Sequence, residues 1–593
     1  MRPARLSVVA SFLLATAVPA AAQDDVVLQA MKDELARSME RLRLESLDKP
    51  YFIAYRAQER SGTAAAATFG ALVSRAESRS RYLAVEVRVG DPKLDNTNFL
   101  AFMSGPSGVV SGRGFVILPL EDDYKELRRQ VWLATDAAYK RALEDLSRKR
   151  AALQNKQNSD PTPDFAAATP VTWSDPTPAA RPPVAGTLET LARDLSAPFK
   201  DTPAVQTSRV NVESTEVLTR YVNSEGTAFT RRTPQASVVV TAGTQAPDGL
   251  ALEDFFVAYG RTLDGLPRTA ELLAEVKELG ARLTQLRGAP VLDRYNGPVL
   301  FEGQAAAEAF HQAFAALLPA TRRPVLENEA MGRMFEENPL LERLGAKVLP
   351  ESMSLVDDPT LGEQGGRVLP GAYAIDDDGV RPARTVVVEK GILKTLLTTR
   401  TPVRGVETSN GHRRGGLPAP GTLVLVDDKG MNAEALKAEL IERARKRGKE
   451  YGIVVRRVAH PLYGSRDAGG GMSFGPFGPR EAPKVGAAIM AYKVFPDGHE
   501  ELVRNLEPSG LVAATFKEIV AAGQSASPYT VAFDTRGAIG IPPFLRSGFM
   551  PGDAANVVVS LVVPSLLFDD VTLQKPTREA PKPPLIKHPS FDK

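Results

Sequence analysis

Glu308 and His311 stand three residues apart in Gln304-Ala-Ala-Ala-Glu-Ala-Phe-His-Gln312, a segment whose composition favours a helix. Side chains at that spacing share a helix face, so the pair could move a proton or offer two metal ligands. A Glu-x-x-His pair serves a metal only when other elements add ligands. The chain has five histidines and no cysteine, which excludes a thiolate nucleophile and a Cys-rich zinc site. The other histidines are scattered: His412 in a basic turn, His460 before Pro461, His499 after Asp497-Gly498, and His588 near the end. Glu308 and His311 are thus the candidate catalytic residues, expected as a solvated or hydrogen-bonded pair without metal. An exposed Glu308 would contribute little to stability, within ~0.5 kcal/mol.

Two further segments invite a chemical reading. Asp376-Asp-Asp-Gly379 suggests calcium, but a calcium loop alternates its oxygen ligands and ends on a bidentate Glu. It reads as a hairpin turn. The glycine-rich stretch 468–478 lacks the Lys-Ser/Thr of a phosphate loop and is either a mobile loop over a cleft or an exposed insertion.

A chain of 593 residues exceeds what one core holds, so several units are expected. Its formal net charge of +2, with acids and bases intermixed, gives no reason to expect nucleic acid. Arg2 and Arg5, a mostly apolar run over residues 6–18 and Ala20-Ala-Ala22 compose a secretory signal. The run falls short of the ~20 residues that a membrane span needs. The expectation is export, to the periplasm or beyond, after cleavage near Ala22.

Leu28, Met31, Leu35, Met39 and Leu42 mark one helix, and the stripe Leu127, Val131, Ala134, Ala138, Ala142 and Leu146 a longer one over 122–155. Residues 51–55 and 82–89 read as strands. The proline-rich stretch 160–186 reads as an extended connector, in which Trp173 either pins the connector to the body or makes a lone apolar contact. Asn223-Ser-Glu-Gly226 is a turn between strands. Residues 266–286 and 305–318 are helical, and strands then alternate with a charged helix over 433–447.

Tyr295-Asn-Gly-Pro-Val-Leu-Phe301 resembles the start of the last domain in the TldD/PmbA family, the modulators of DNA gyrase. Arg220-Tyr-Val-Asn-Ser-Glu-Gly226, Val356-Asp-Asp-Pro-Thr-Leu361, Ile375-Asp-Asp-Asp-Gly379, Val388-Glu-Lys-Gly-Ile-Leu-Lys394, Ser409-Asn-Gly-His-Arg-Arg414 and Pro564-Ser-Leu-Leu-Phe-Asp-Asp-Val571 follow that family's order. The resemblance covers about residues 200–572. It implies a multi-domain α+β fold, with a helix/sheet region followed by a strand-rich C-terminal domain. The expected divisions are signal 1–22, N-terminal region 23–199, middle region 200–295, C-terminal domain 296–573 and a Pro/Lys-rich tail 574–593. Active members carry His-Glu-x-x-x-His on the helix after that opening strand. Here Glu308 remains, while Ala307 and Gln312 stand where the histidines would be, and the family's cysteine near the metal has no counterpart. The resemblance therefore implies a non-catalytic, PmbA-like subunit that binds peptide or an unfolded segment. It would form homo- or hetero-oligomers with a family member and need no cofactor. The alternative is an active metallopeptidase with a rearranged zinc site.

Overall fold

The computed structural model describes residues 25–44, 47–101, 115–154, 160–328, 332, 335, 337–463, 485–504, 506–535 and 556–576. The expected signal, the glycine-rich stretch and His588 lie outside them. The first elements are α1 (Val26–Arg41), β1 (Pro50–Thr68), β2 (Ala71–Val89), β3 (Phe99–Leu100), β4 (Phe115–Ile117) and α2 (Tyr124–Gln154). After the proline-rich stretch come β5 (Thr172–Ser174), α3 (Thr187–Ser196), β6 (Thr207–Asn223), β7 (Ala228–Gln245), β8 (Ala251–Gly260) and α4 (Thr269–Gly288).

Among the described residues, β4, β2, β1, β6, β7 and β5 form one sheet in that order, with β8 on β7. This sheet corrects two expectations. The strands foreseen at 51–55 and 82–89 are each 19 residues long and meet at a two-residue turn, Phe69-Gly70, with φ of 45° and 74°. That geometry matches the twist of a hairpin. Its distal half was missed because Ala64 to Ala67 lack strand-forming side chains and residues 74–80 are polar apart from Ala76, without alternation. The boundary expected between 199 and 200 also runs through the sheet, since β1 pairs with β6 from Ala54↔Asn223 to Ala67↔Val210.

The period of two sorts the faces of β1. Ile53, Tyr55 and Ala57 lie under α1 and α2, which supply Val27, Met31, Leu127, Val131 and Leu146. Phe52 and Ala54 point the other way, into a cluster with Phe165, Tyr221, Phe229 and Ile375. Trp173 packs on this cluster within β5, so the connector contributes a strand as well as an extended run. On the far half of the sheet, Leu272, Val276, Leu279 and Leu283 of α4 cover Val238 and Val240 of β7.

The C-terminal half starts with β9 (Arg294–Phe301) and α5 (Gln304–Ala313), followed by β10 (Val325–Leu326), which pairs with β3. Strand β11 (Met353–Asp357) is antiparallel to Thr385–Glu389 and to Thr422–Asp427, and the latter runs parallel to Asn556–Val562. A second mixed sheet centres on β9, parallel to Gly452–Val458 and antiparallel to Leu566–Gln574. The charged helix is α6 (Ala433–Lys446). Gln574 is still within its strand, so the tail starts later than expected. The result is the α+β, strand-rich architecture that the sequence implied. Among the described residues, no helix is long and apolar enough to cross a membrane.

The two halves meet at Asp376-Asp-Asp-Gly379, which is a turn but joins no hairpin. Its neighbours Arg367–Val368 and Thr385–Glu389 pair with other strands. Asp376 accepts the N–H groups of Asp378, Val380 and Arg413. Burial and the charge of Asp378 push its carboxyl well above the usual range. Burial works on Asp377 too, but Arg231 at 2.6 Å and Arg56 at 3.3 Å hold it down at about 2. Arg413 reaches Asp378 at 2.5 Å. Gly379 has φ of 78°, and a Cβ there would come within 2.6 Å of Thr227 Cγ2.

Arg400 completes the joint. It grips Glu225 in the β6–β7 turn at 2.6 and 2.9 Å, donates to Ala166 O and lies 3.9 Å over the Phe165 ring. Glu225 is 34% exposed, so losing the guanidinium strands no buried charge; Arg400→Met, which gives up these hydrogen bonds and the ring contact, should lower unfolding free energy by about 1–2 kcal/mol. Urea unfolding followed by circular dichroism checks this.

Candidate functional site

Gly303, with φ of 54°, carries the chain from β9 into α5 without a capping side chain. From Ala305 to Ala313 every residue of α5 is buried. Small side chains at 305, 306, 307, 309 and 313 let the helix sit close to the surrounding core. Glu308 is fully buried, which overturns the expectation of an exposed carboxylate with little bearing on stability.

Both carboxylate oxygens are engaged. Tyr529 Oη donates to Glu308 Oε1 at 2.6 Å, and Gln312 Nε2 donates to Oε2 at 2.8 Å. The His311 Nδ1 lies 3.7 Å from Oε2, beyond hydrogen-bond reach, and has no partner. Gln312 is spent further: Nε2 also donates to Ala459 O at 2.8 Å, and Oε1 accepts Gly486 N–H at 2.7 Å. This side chain ties the helix to both flanks of the stretch between Gly452–Val458 and Ala488–Val494.

The unexpected member is His460. Its buried ring stacks on His311 with centroids 5.5 Å apart and on Tyr463 at 4.5 Å. Its Nδ1 accepts Leu462 N–H at 3.1 Å. Burial depresses its pKa to about 4, with the nearby Glu308 charge opposing. Burial would raise Glu308, but the surrounding histidines and hydrogen bonds hold it below the usual range. Tyr463 meets Tyr259 of β8 at 2.7 Å, so the N-terminal sheet reaches the cluster.

Glu308, His311 and His460 each offer a ligand atom, all within 4.8 Å of one another. Glu308 keeps spare lone pairs, His311 an unengaged Nδ1, and His460 the ring nitrogen that Leu462 does not use. Two imidazoles and a carboxylate are the number and kind of ligand that a catalytic zinc takes. Both Glu308 oxygens, however, already accept hydrogen bonds from Tyr529 and Gln312, which an ion would have to share or displace.

The other histidines stay apart. His412, expected in a turn, is buried, with Nδ1 2.8 Å from Asn410 Oδ1 and Nε2 3.3 Å from Asp357 Oδ2. His499 stacks on Phe495. Sequence reading paired Glu308 with His311 but missed His460, Tyr463 and Tyr529. No spacing links them to α5, because tertiary packing alone unites them.

His460 carries a pH signature. Its folded pKa near 4 lies below its unfolded value of about 6.5, so the unfolded chain binds the extra proton between those limits. Stability therefore falls as pH drops from about 6.5 to 4, by about 3 kcal/mol from this residue. Urea midpoints across that window should fall less steeply for His460→Asn than for the parent protein.

Residues 294–476 match the PmbA/TldA metallopeptidase C-terminal domain. A metalloprotease from Archaeoglobus fulgidus is 34% identical over 97 residues, 15% of this chain and 21% of that protein. Another from Methanothermobacter thermautotrophicus is 35% identical over 98 residues, 15% and 20% of the two chains. The chain thus spans about a fifth of the length of these curated relatives. Among solved structures, a modulator of DNA gyrase from Thermotoga maritima aligns with a TM-score of 0.54 at 14% identity, over 92% of this chain and 99% of that one. TldE from Thermococcus kodakarensis aligns with a TM-score of 0.54 at 12% identity over the same shares. Residues 294–476 are thus similar to the PmbA/TldA metallopeptidase C-terminal domain, and the chain shares its fold with the gyrase-modulator and TldE structures.

Proposed function

We propose that this chain is an exported, non-catalytic subunit of the PmbA type, which binds peptide segments and assembles with itself or with a catalytic family member. The observation that carries this reading is the state of Gln312. A ligand position in an active site must present a lone pair to an open space. Gln312 instead closes the space, with its amide bonded to Glu308, Ala459 and Gly486. Ala307 beside Glu308 offers only a methyl group. A carboxylate without metal-activated water has no proton-transfer task in peptide hydrolysis.

One observation favours the alternative, an active metallopeptidase. His311 Nδ1 is buried and unpartnered within reach of Glu308 and His460. Zinc would then be held by Glu308, His311 and His460 and would supply Lewis-acid activation of water.

Metal analysis of mature protein purified without chelator or His tag separates the readings. The expected result is no stoichiometric zinc, with no chelator-sensitive cleavage of a peptide mixture. Stoichiometric zinc with such cleavage, lost in Glu308→Gln, overturns the proposal. The same variant should cost about 1–3 kcal/mol of stability, because its new amide must face the Gln312 amide inside the core.

Export is tested separately. Mass spectrometry of the protein from its native host should find Gln23 as the first residue. An intact residue 1 in cytosolic material would rule out the expected cleavage.

A further inference from the structure

Where the N-terminal sheet meets the C-terminal half, a half-open cleft of about 620 Å³ is lined by Arg231, Arg261, Arg381, Arg414, Trp173 and Tyr373, among others. None of its lining residues belongs to the Glu308 cluster. That volume is typical of small-ligand sites.

Its positive charge is largely unspent. Arg231 uses its two terminal nitrogens on Ile375 O and Asp377, which leaves a buried Nε with no partner. Arg414 donates to the carbonyls of Pro420 and Val558 and lies 4.8 Å from the Tyr373 ring centroid. Among the described residues no carboxylate stands within ion-pair distance of it. Burial lowers its pKa, and the Arg231 charge acts in the same direction. Arg261 and Arg381 are exposed and make no ion pair with a described residue. The acids in the wall are already occupied. Asp377 serves Arg56 and Arg231, while Asp175 accepts the N–H groups of Thr177 and Arg232.

A half-buried guanidinium held only by carbonyls and an aromatic face still gains from an anion that reaches it. Guanidinium donors suit a carboxylate or a phosphate equally well. Here two aspartates in the wall oppose a dianion, while Trp173, Tyr373 and the prolines 176, 234, 359, 370 and 382 offer faces for a peptide chain. We propose that this cleft captures peptides through a carboxylate, at the chain end or on an acidic side chain. The inference takes its ligand class from the peptide-binding reading above, but does not depend on the inertness of Glu308.

The chain has two tryptophans, Trp132 and Trp173, so a Trp132→Phe background makes Trp173 the only indole reporter. The full mature protein is titrated with acetyl-tetraalanine as free acid, as amide, and as an amide with one internal glutamate. The expected result is saturable change in Trp173 emission, with at least one acid binding about ten-fold tighter than the neutral amide. The preferred acid identifies the source of the carboxylate. Adding Arg261→Ala and Arg381→Ala should weaken the acid about ten-fold, leave the neutral amide unchanged and preserve the circular dichroism spectrum. Equal binding of acid and amide overturns the carboxylate cleft while sparing the peptide-binding reading. Absence of all peptide binding overturns both. Inorganic phosphate displacing the acid at equal concentration, or an unchanged affinity in the arginine variants, also overturns the proposal.

Discussion

The fold depends on a buried exchange of charge around the turn at Asp376, Asp377 and Asp378. Three consecutive carboxylates would repel one another in a dry interior. The structure resolves this by giving each a different solution: Asp376 takes backbone N–H groups and has its carboxyl pushed up by burial, Asp377 takes Arg56 and Arg231, and Asp378 takes Arg413. Arg56 comes from β1 and Arg231 from β7, so the turn reads two strands of the N-terminal sheet at once. Breaking such a pair costs more than forming it gains. The joint thus specifies how the halves dock more than it stabilises them.

That docking builds both functional regions. Tyr259 of β8 crosses to Tyr463, beside His460 and the helix that carries Glu308. The cleft takes Arg231, Arg232 and Arg261 from the N-terminal side and Tyr373, Arg381 and Arg414 from the other. The regions are joined by neighbouring strands. Val557 lines the cleft and pairs with Phe533, whose ring packs on His311.

Much of this was legible in the residues. The stripe on α2 is three-four periodic because one face alone meets the sheet, and Asn223-Ser-Glu-Gly226 turns because its asparagine and glycine can. The β1–β2 hairpin was half hidden, since its distal part draws strand order from β6 rather than from its own side chains. The site was legible to the same degree. Glu308 and Gln312 are four apart on one helix and their bond follows from helix geometry. Burial did not follow, because alanines flank Glu308 and their small size marks a helix equally well as exposed or as tightly enclosed. His460 comes from the loop after Gly452–Val458 and Tyr529 from the strand Pro528–Asp534, both far from α5 in sequence, which periodicity cannot register.

Strand β9 immediately precedes α5 and lies between Gly452–Val458 and Leu566–Gln574. Both neighbours are made long after it. A growing chain must therefore leave one edge of β9 open until Gly452–Val458 has emerged and the other until its last described strand has, and α5 cannot be fully enclosed before then. Long-range pairing of this kind folds slowly and exposes unpaired edges meanwhile. The time spent in that incomplete state, more than the strength of any finished contact, would then set how much of this protein reaches its native form.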